Sequence, residues 1–146
     1  LNDPSGAFAT YGQAVRDAVA EPELGELLDA FERLGAQLGR SPEVVELYRA
    51  IEPDLLDERV RLRVERVIAQ EALRGKDLDA AAETYRRILD RAPDDIAALQ
   101  ALEDIYRRTD DANALYDIMV RRAELAGSAG GARAASAELP FRMEAG

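Results

Sequence analysis

The phrase E-x-Y-R-x-I occurs twice in this chain and limits the possible folds more than any other feature. Its two copies contain Glu46, Tyr48, Arg49 and Ile51, then Glu83, Tyr85, Arg86 and Ile88. They lie thirty-seven positions apart (46 to 83), and LDAFERL at 28–34 resembles LEDIYRR at 102–108, two such periods further on. A period in the mid-thirties indicates stacked helical hairpins, each of which buries its apolar face only against its neighbours.

Apolar residues recur at helical spacing along most of the chain, and no segment alternates with a period of two. We predict seven helices joined by short turns, at 7–20, 23–38, about 41–53, 54–74, 78–92, 96–108 and 112–126. Ser41 is the expected N-cap of the third helix. The acid pairs Asp94-Asp95 and Asp110-Asp111 are expected to cap the sixth and seventh helices, a reading we favour over acid–base or metal sites, and Asp77 to cap the fifth.

Composition argues against several classes of function. The 146 residues include no cysteine and no histidine, and the net charge is −10. Without these residues the chain lacks thiolate and imidazole metal ligands and the usual general base, so we expect no catalysis, no metal and no cofactor. The negative charge disfavours nucleic acid and anionic membranes as partners, and no apolar run reaches bilayer length. We therefore expect an acidic, cytoplasmic protein.

The basic residues are almost all arginine. Lys76 is the only lysine among the nineteen, and the chain begins with leucine. Arginine bias of this kind is typical of GC-rich bacterial genomes, so we expect this chain to belong to a larger bacterial protein.

The segment from Leu62 to Ala126 resembles tetratricopeptide repeats. The matching positions are Ala69, Ala72, Asp77, Leu78, Ala81, Tyr85, Ile88 and Pro93, then Ile96, Leu99, Leu102, Tyr106, Leu115 and Met119. The chain departs from the family pattern in having no tryptophan, one inserted residue near Gly75-Lys76, and Arg122 where a small residue is usual. The resemblance implies an all-α fold, an α-solenoid of antiparallel hairpins wound as a right-handed superhelix. It divides the chain into an N-terminal helix (1–22), the repeats (23–127) and a Gly/Ala-rich tail or further helix (128–146).

Members of this family bind peptides or protein surfaces in a concave groove formed by the first helix of each pair. On a helical wheel of 54–74, two apolar stripes flank a ridge of polar residues, which we call the arginine ridge: Arg59, Arg63, Arg66, Gln70 and Arg74. The neighbouring groove helices would add Glu26, Asp29 and Arg33 on one side, and Gln100, Asp104, Arg107 and Arg108 on the other. The family's Lys/Asn clamp for chaperone C-termini is not matched.

Two interpretations of the arginine ridge remain open. In the first, the ridge lines a groove and pairs with acidic side chains or a C-terminal carboxylate of a partner, because arginine suits bidentate recognition. In the second, its arginines are solvated or neutralised within the array by Glu26, Asp29 and Asp104. The first makes the chain a protein-interaction module, and the second favours a structural spacer or assembly scaffold without a peptide-binding groove.

Overall fold

All seven predicted helices are present in the computed structural model, which describes the backbone of residues 3–145 and the side chains of residues 3–128. The α-helices are α1 (Pro4–Asp17), α2 (Leu24–Gln37), α3 (Ser41–Ile51), α4 (Glu58–Arg74), α5 (Leu78–Arg91), α6 (Ile96–Arg108) and α7 (Ala112–Ala145). A 3₁₀ turn, Glu52–Asp54, follows α3. The predicted all-α class is confirmed, and the helices pack mostly in sequence as adjacent pairs, as an array of hairpins requires.

The chain divides into two compact units, Leu1–Arg91 and Ala92–Gly146. In the first unit α1 packs on α2 and α3, α3 packs on α2 and α4, and α4 packs on α5. In the second unit α6 packs on α7.

The core of the first unit begins with three aromatic rings. Phe8 and Phe31 are stacked with ring centroids 4.7 Å apart, and the Tyr48 ring lies 6.3 Å from Phe31. Aliphatic side chains extend this core from α2 to α4, and they include Leu28, Val44, Val45, Leu47, Ile51, Val64 and Ile68. The burial of Tyr48 agrees with the expectation that the repeated phrase fills a packing position.

Three hairpin turns share one backbone conformation. In each, one residue adopts a left-handed φ: Gly39 at 66°, Lys76 at 62° and Asp110 at 55°. The residue after each donates its backbone N–H to a carbonyl five residues back, in the pairs Arg40–Gly35 (2.7 Å), Asp77–Ala72 (2.9 Å) and Asp111–Tyr106 (3.0 Å). This pattern is the Schellman motif, which satisfies the open carbonyls at a helix end. The turns recur at intervals of 37 and 34 residues (39 to 76 to 110), so the internal repeat extends to the backbone.

Helix caps explain where several helices begin. The Asp95 and Asp111 side chains accept backbone N–H groups at the starts of α6 and α7, as does Asp77 at the start of α5. The prediction was wrong for the first acid of each pair: the cap of α6 is Asp95, and Asp110 takes the left-handed turn position. Ser41 is likewise not an N-cap, because α3 already includes it.

Several helix ends differ from the sequence prediction: α1 spans Pro4–Asp17 rather than 7–20, and α4 and α7 differ by more. Helix α4 begins at Glu58 rather than 54, because the 3₁₀ turn and the extended Leu55 intervene before Asp57 caps it. Helix α7 continues past 126 to Ala145. Nearly all of the predicted tail, 128–146, lies outside the residues whose side chains are described.

Candidate functional site

The arginine ridge lies on α4, a helix with neighbours on two sides. Helix α4 contacts α3 and α5, and Val64, Ile68 and Ala69 are buried on its two apolar stripes. Leu62 and Leu73, which lie on the same side of the helix as Ala69, are only half-buried. The polar ridge therefore lies between the stripes of a helix that is fixed by packing, and its members differ in exposure.

Arg63, in the middle of the ridge, is neutralised within the protein. Its Nη2 donates to Asp29 Oδ1 at 2.6 Å and also to the Glu32 carboxylate, and its Nη1 donates to the Gly25 carbonyl at 3.3 Å. Burial opposes ionisation of this side chain, but the hydrogen bonds and negative charges of Glu32 and Asp29 together more than compensate, so the pKa of Arg63 is raised. Of the acids expected to neutralise the ridge, Asp29 does so here, and Glu32 is a partner that the sequence reading missed.

The ends of the ridge are more open than its centre. Arg59 and Gln70 are exposed, and Arg59 takes part in none of the ion pairs formed by the described residues. Arg74 has a side chain that is 70% exposed, and its Nη1 lies 2.9 Å from Glu71 Oε2 one turn earlier on the same helix. Arg66 is half-buried and interacts with another group of the protein. The ridge thus combines a fixed centre with exposed cationic ends.

A small cavity of about 190 Å³ opens beside the C-terminal end of the ridge. Its lining includes Gln70 and Arg74 from α4 together with the apolar side chains of Val44 and Val67. Glu32 lies at the same opening, where it also holds Arg63. The cavity also contains the Glu71 carboxylate, which pairs with Arg74, so it offers both donors and acceptors beside an apolar wall, and its volume is too small for a drug-sized ligand.

The predicted groove residues of α6 belong to the second unit, and they are exposed: Gln100, Asp104, Arg107 and Arg108. Asp104 pairs with Arg108 at 3.1 Å, and Arg107 pairs with Glu103 at 2.6 Å, both within the helix. The Asp104–Arg108 pair is exposed at both ends and contributes little to stability, whereas Glu103 is buried. On α6, therefore, neighbours on the same helix already pair with both arginines.

Glu103 is also held from α7, and this contact was not predicted. The Arg122 guanidinium donates to the second carboxylate oxygen of Glu103. This hydrogen bond, and the nearby Arg107, lower the pKa of Glu103. Arg122, which departs from the family pattern, therefore ties α7 to α6.

A second charged cluster, also missed from sequence, surrounds Glu65 on α4. Glu65 is fully buried, and its carboxylate accepts a 3.1 Å hydrogen bond from Arg91 Nε of α5. Arg61 Nε donates to Glu52 Oε1 of the 3₁₀ turn at 2.7 Å. The available signal was the helical wheel, on which Glu65 falls between Ile68 and Ala69, among the buried positions rather than on the polar ridge.

The Tyr48 hydroxyl is buried within the aromatic core, and no described residue forms a hydrogen bond with it. Burial, and secondly the negative charge of Glu32, raise the pKa of Tyr48. The phenol therefore stays neutral and serves as a packing group of the core.

Comparisons with protein-family models, with curated proteins and with solved structures found no match. Across the described residues, no three or more acidic side chains are grouped as a metal site would need. Within the same part of the chain, no helix combines the length and apolar character needed to cross a bilayer.

Proposed function

We propose that this chain is a protein-interaction module built from tetratricopeptide-like hairpins, which binds an acidic peptide or helix of a partner along α4. The observation that supports this proposal most directly is the exposure of Arg59, Gln70 and Arg74 on one side of α4, around an Arg63 that is fixed by α2. A rigid helix with exposed, partly unpaired cations suits carboxylate recognition, since the charges need little reorganisation on binding.

The spacing of the exposed groups defines the ligand. Fifteen residues separate Arg59 from Arg74, which corresponds to about 22 Å along a helix. An extended peptide covers that length with about seven residues. The preferred ligand would therefore be an extended segment with acidic residues roughly six or seven positions apart, or a helix with acids at both ends of a comparable length.

The test is a binding titration with labelled synthetic peptides that carry two glutamates at spacings from about three to ten residues. Each peptide is compared with its glutamine counterpart at low and at moderate salt. The protein variants are Arg59→Glu with Arg74→Glu, and a matched control with Arg16→Glu and Arg49→Glu, exposed arginines of α1 and α3. Circular dichroism checks that all proteins are equally helical.

We expect the best affinity near the predicted spacing, weaker binding at higher salt, and loss of binding only in the α4 variant. Equal affinity for glutamate and glutamine peptides, or equal losses in both variants, would contradict an acid-binding groove on α4. If binding is lost only in the α4 variant, affinity capture from a lysate with the same protein set would identify the natural partner.

A structural spacer or assembly scaffold is the second candidate, and one observation favours it. Tyr116 and Met119 lie three residues apart on α7, and they are 68% and 48% exposed. Two large apolar side chains on one helix face suit packing against a further helix more than contact with water. If the chain assembles through this face, sedimentation velocity should show association that disappears when both residues are changed to serine. A monomer at all concentrations would remove this support for a scaffold.

A further inference from the structure

The buried glutamate Glu65 lies where three segments of the first unit meet. It extends from α4 toward Arg91 on α5 and toward Glu52 in the 3₁₀ turn that follows α3. Arg61, one turn earlier on α4, completes the inner group of four charges. Glu58, at the start of α4, lies outside this group, 3.4 Å from Arg91 Nη1 and largely exposed.

The two inner carboxyl groups share the same two arginines. Arg61 Nε is 2.7 Å from Glu52 Oε1 and 4.0 Å from Glu65 Oε1. Arg91 reaches both acids as well, at 3.6 Å to Glu52 and 3.1 Å to Glu65. Because the same two guanidinium groups hold both carboxyls, the two acids are close neighbours and their negative charges act on each other. Ionised carboxylates only accept hydrogen bonds, so a direct bond between them requires that one of them carries a proton.

Solvent reaches this pair from one side. Glu52 lines a cavity of about 340 Å³ whose other charged groups are Arg49, Glu83 and Arg87. Glu83 and Arg87 pair with each other at 2.7 Å. Because the side chain of Glu52 remains 12% exposed while that of Glu65 is only 1% exposed, a proton can enter through Glu52 and be held at the buried group.

We propose that Glu65 and Glu52 share one proton at the junction of α4, α5 and the 3₁₀ turn, and that this junction is a pH-sensitive clasp of the first unit. In its protonated state, Glu65 donates to Glu52 while Arg61 and Arg91 remain hydrogen-bonded to the pair. When the proton leaves, a second full negative charge must be held at a junction where the Glu65 side chain is closed off from solvent. The proposal is independent of the function proposed above.

The direction of the pH effect follows from the two groups. Burial, and then the contact with Glu52, raise the pKa of Glu65 above its ordinary value of 4.5. Burial also raises the pKa of Glu52. Hydrogen bonds from Arg61 and from Glu65 outweigh this effect, so the pKa of Glu52 is lowered. A raised folded-state pKa contributes stability that is complete below the ordinary value and is lost as pH rises through the folded-state value. The clasp therefore weakens as pH rises from the ordinary glutamate value toward neutrality.

The direct test is a carbon-13 NMR titration of the glutamate side-chain carboxyl carbons in the unmodified protein. We expect the Glu52–Glu65 pair to titrate in two steps, one below and one above the range of the exposed glutamates, with Glu65 dominating the upper step. If Glu65 titrates at or below that range, the shared proton is ruled out, whatever any variant does.

The second measurement is the pH dependence of unfolding for the unmodified protein, Glu65→Gln, and the control Glu83→Gln. Glutamine keeps the shape of a protonated glutamate, donates to Glu52 and cannot ionise. We expect unmodified protein and control to take up more protons on folding than Glu65→Gln above the ordinary value of 4.5, by up to about one proton before the upper titration step. Identical proton uptake in all three proteins would overturn the proposal.

Discussion

Arg63 of α4 donates a 2.6 Å hydrogen bond to Asp29 of α2, across thirty-four residues of sequence. The same guanidinium also holds Glu32 and the Gly25 carbonyl, so it links the first helices of two successive hairpins. A residue that looks like a ligand-binding arginine on a helical wheel is therefore, in the fold, a bridge between helices.

Replacing Arg63 with glutamine should destabilise the protein. The half-buried Glu32 would lose its charged partner, which costs about 1–3 kcal/mol of unfolding free energy. Arg87→Gln is the matched control, since it breaks an exposed pair within α5 and should cost less than about 0.5 kcal/mol. Urea unfolding measures both. Equal costs for the two variants would mean that the Arg63 bridge contributes no more than a surface pair.

Lys76→Gly should stabilise the protein. Lys76 holds a left-handed φ of 62° that favours glycine, so relief of this strain should outweigh the added entropy of the unfolded chain and gain up to about 1 kcal/mol. The reverse change, Gly39→Ala, places a side chain at φ 66° in open space and should cost a similar amount through backbone strain alone. Thermal unfolding of the two variants should shift in opposite directions, and a shift in the same direction would argue against equivalent turns.

Gly35→Ala should destabilise the first unit. An added Cβ would lie 2.5 Å from Val44 Cγ2 and 3.2 Å from Phe8 Cε1, so the packed side chains must move, at a cost of about 1–3 kcal/mol. Gly25→Ala, on the same helix, meets nothing within 4 Å and should be neutral or stabilising because alanine favours helix. Chemical denaturation of both variants measures their unfolding free energies. The prediction is contradicted if Gly35→Ala is tolerated as well as Gly25→Ala.

Tyr48→Phe should be neutral or stabilising by up to about 1 kcal/mol. The change removes a buried hydroxyl that no described residue hydrogen-bonds, and it keeps the ring that packs near Phe31. Tyr48→Ala removes the ring as well and should cost about 3–5 kcal/mol. A clear loss in Tyr48→Phe would show that the hydroxyl has a partner, with the nearby Glu32 carboxylate as the first candidate.

Glu103→Gln should reduce the acid sensitivity of α6 and α7. Because the pKa of Glu103 is lowered by Arg122 and Arg107, its contribution is complete above the ordinary value of 4.5 and is lost as pH falls through the lower folded-state value. The unmodified protein should therefore lose stability below that ordinary value more steeply than the variant does. Hydrogen exchange of the α6 amides at several pH values measures this difference, and parallel pH profiles would contradict it.

The sequence was sufficient to predict the helices because their limits depend on local chemistry. Asp77, Asp95 and Asp111 cap helices by bonds within three residues, and the repeated left-handed turns lie where the predicted helices end. Ser41 was wrongly predicted to be an N-cap. The Schellman turn that ends α2 already orders the backbone at Arg40, so that α3 begins at Ser41 itself. Helix α4 begins later than predicted because Leu55, just before it, is buried in the core. The spacing of apolar residues along the sequence does not reveal this burial.

The candidate site was harder to predict, since a helical wheel places a side chain on a side of a helix but does not identify its partner. Arg59 and Arg63 share one side of α4, yet one is exposed and the other is neutralised by α2. The Glu65 cluster combines residues 52, 61, 65 and 91 from three segments, and no local pattern predicts that they meet. Such long-range pairings depend on how the helices are packed.

The repeated Schellman turns also bear on how the chain folds. Each reverses the chain with hydrogen bonds that span only five residues, so the entropy lost in closing each hairpin is small. Chains dominated by such local contacts fold quickly, and their hairpins can form before longer-range links such as Arg63–Asp29 are made. Folding should therefore proceed hairpin by hairpin, with the salt bridges between helices completed last and lost first on unfolding.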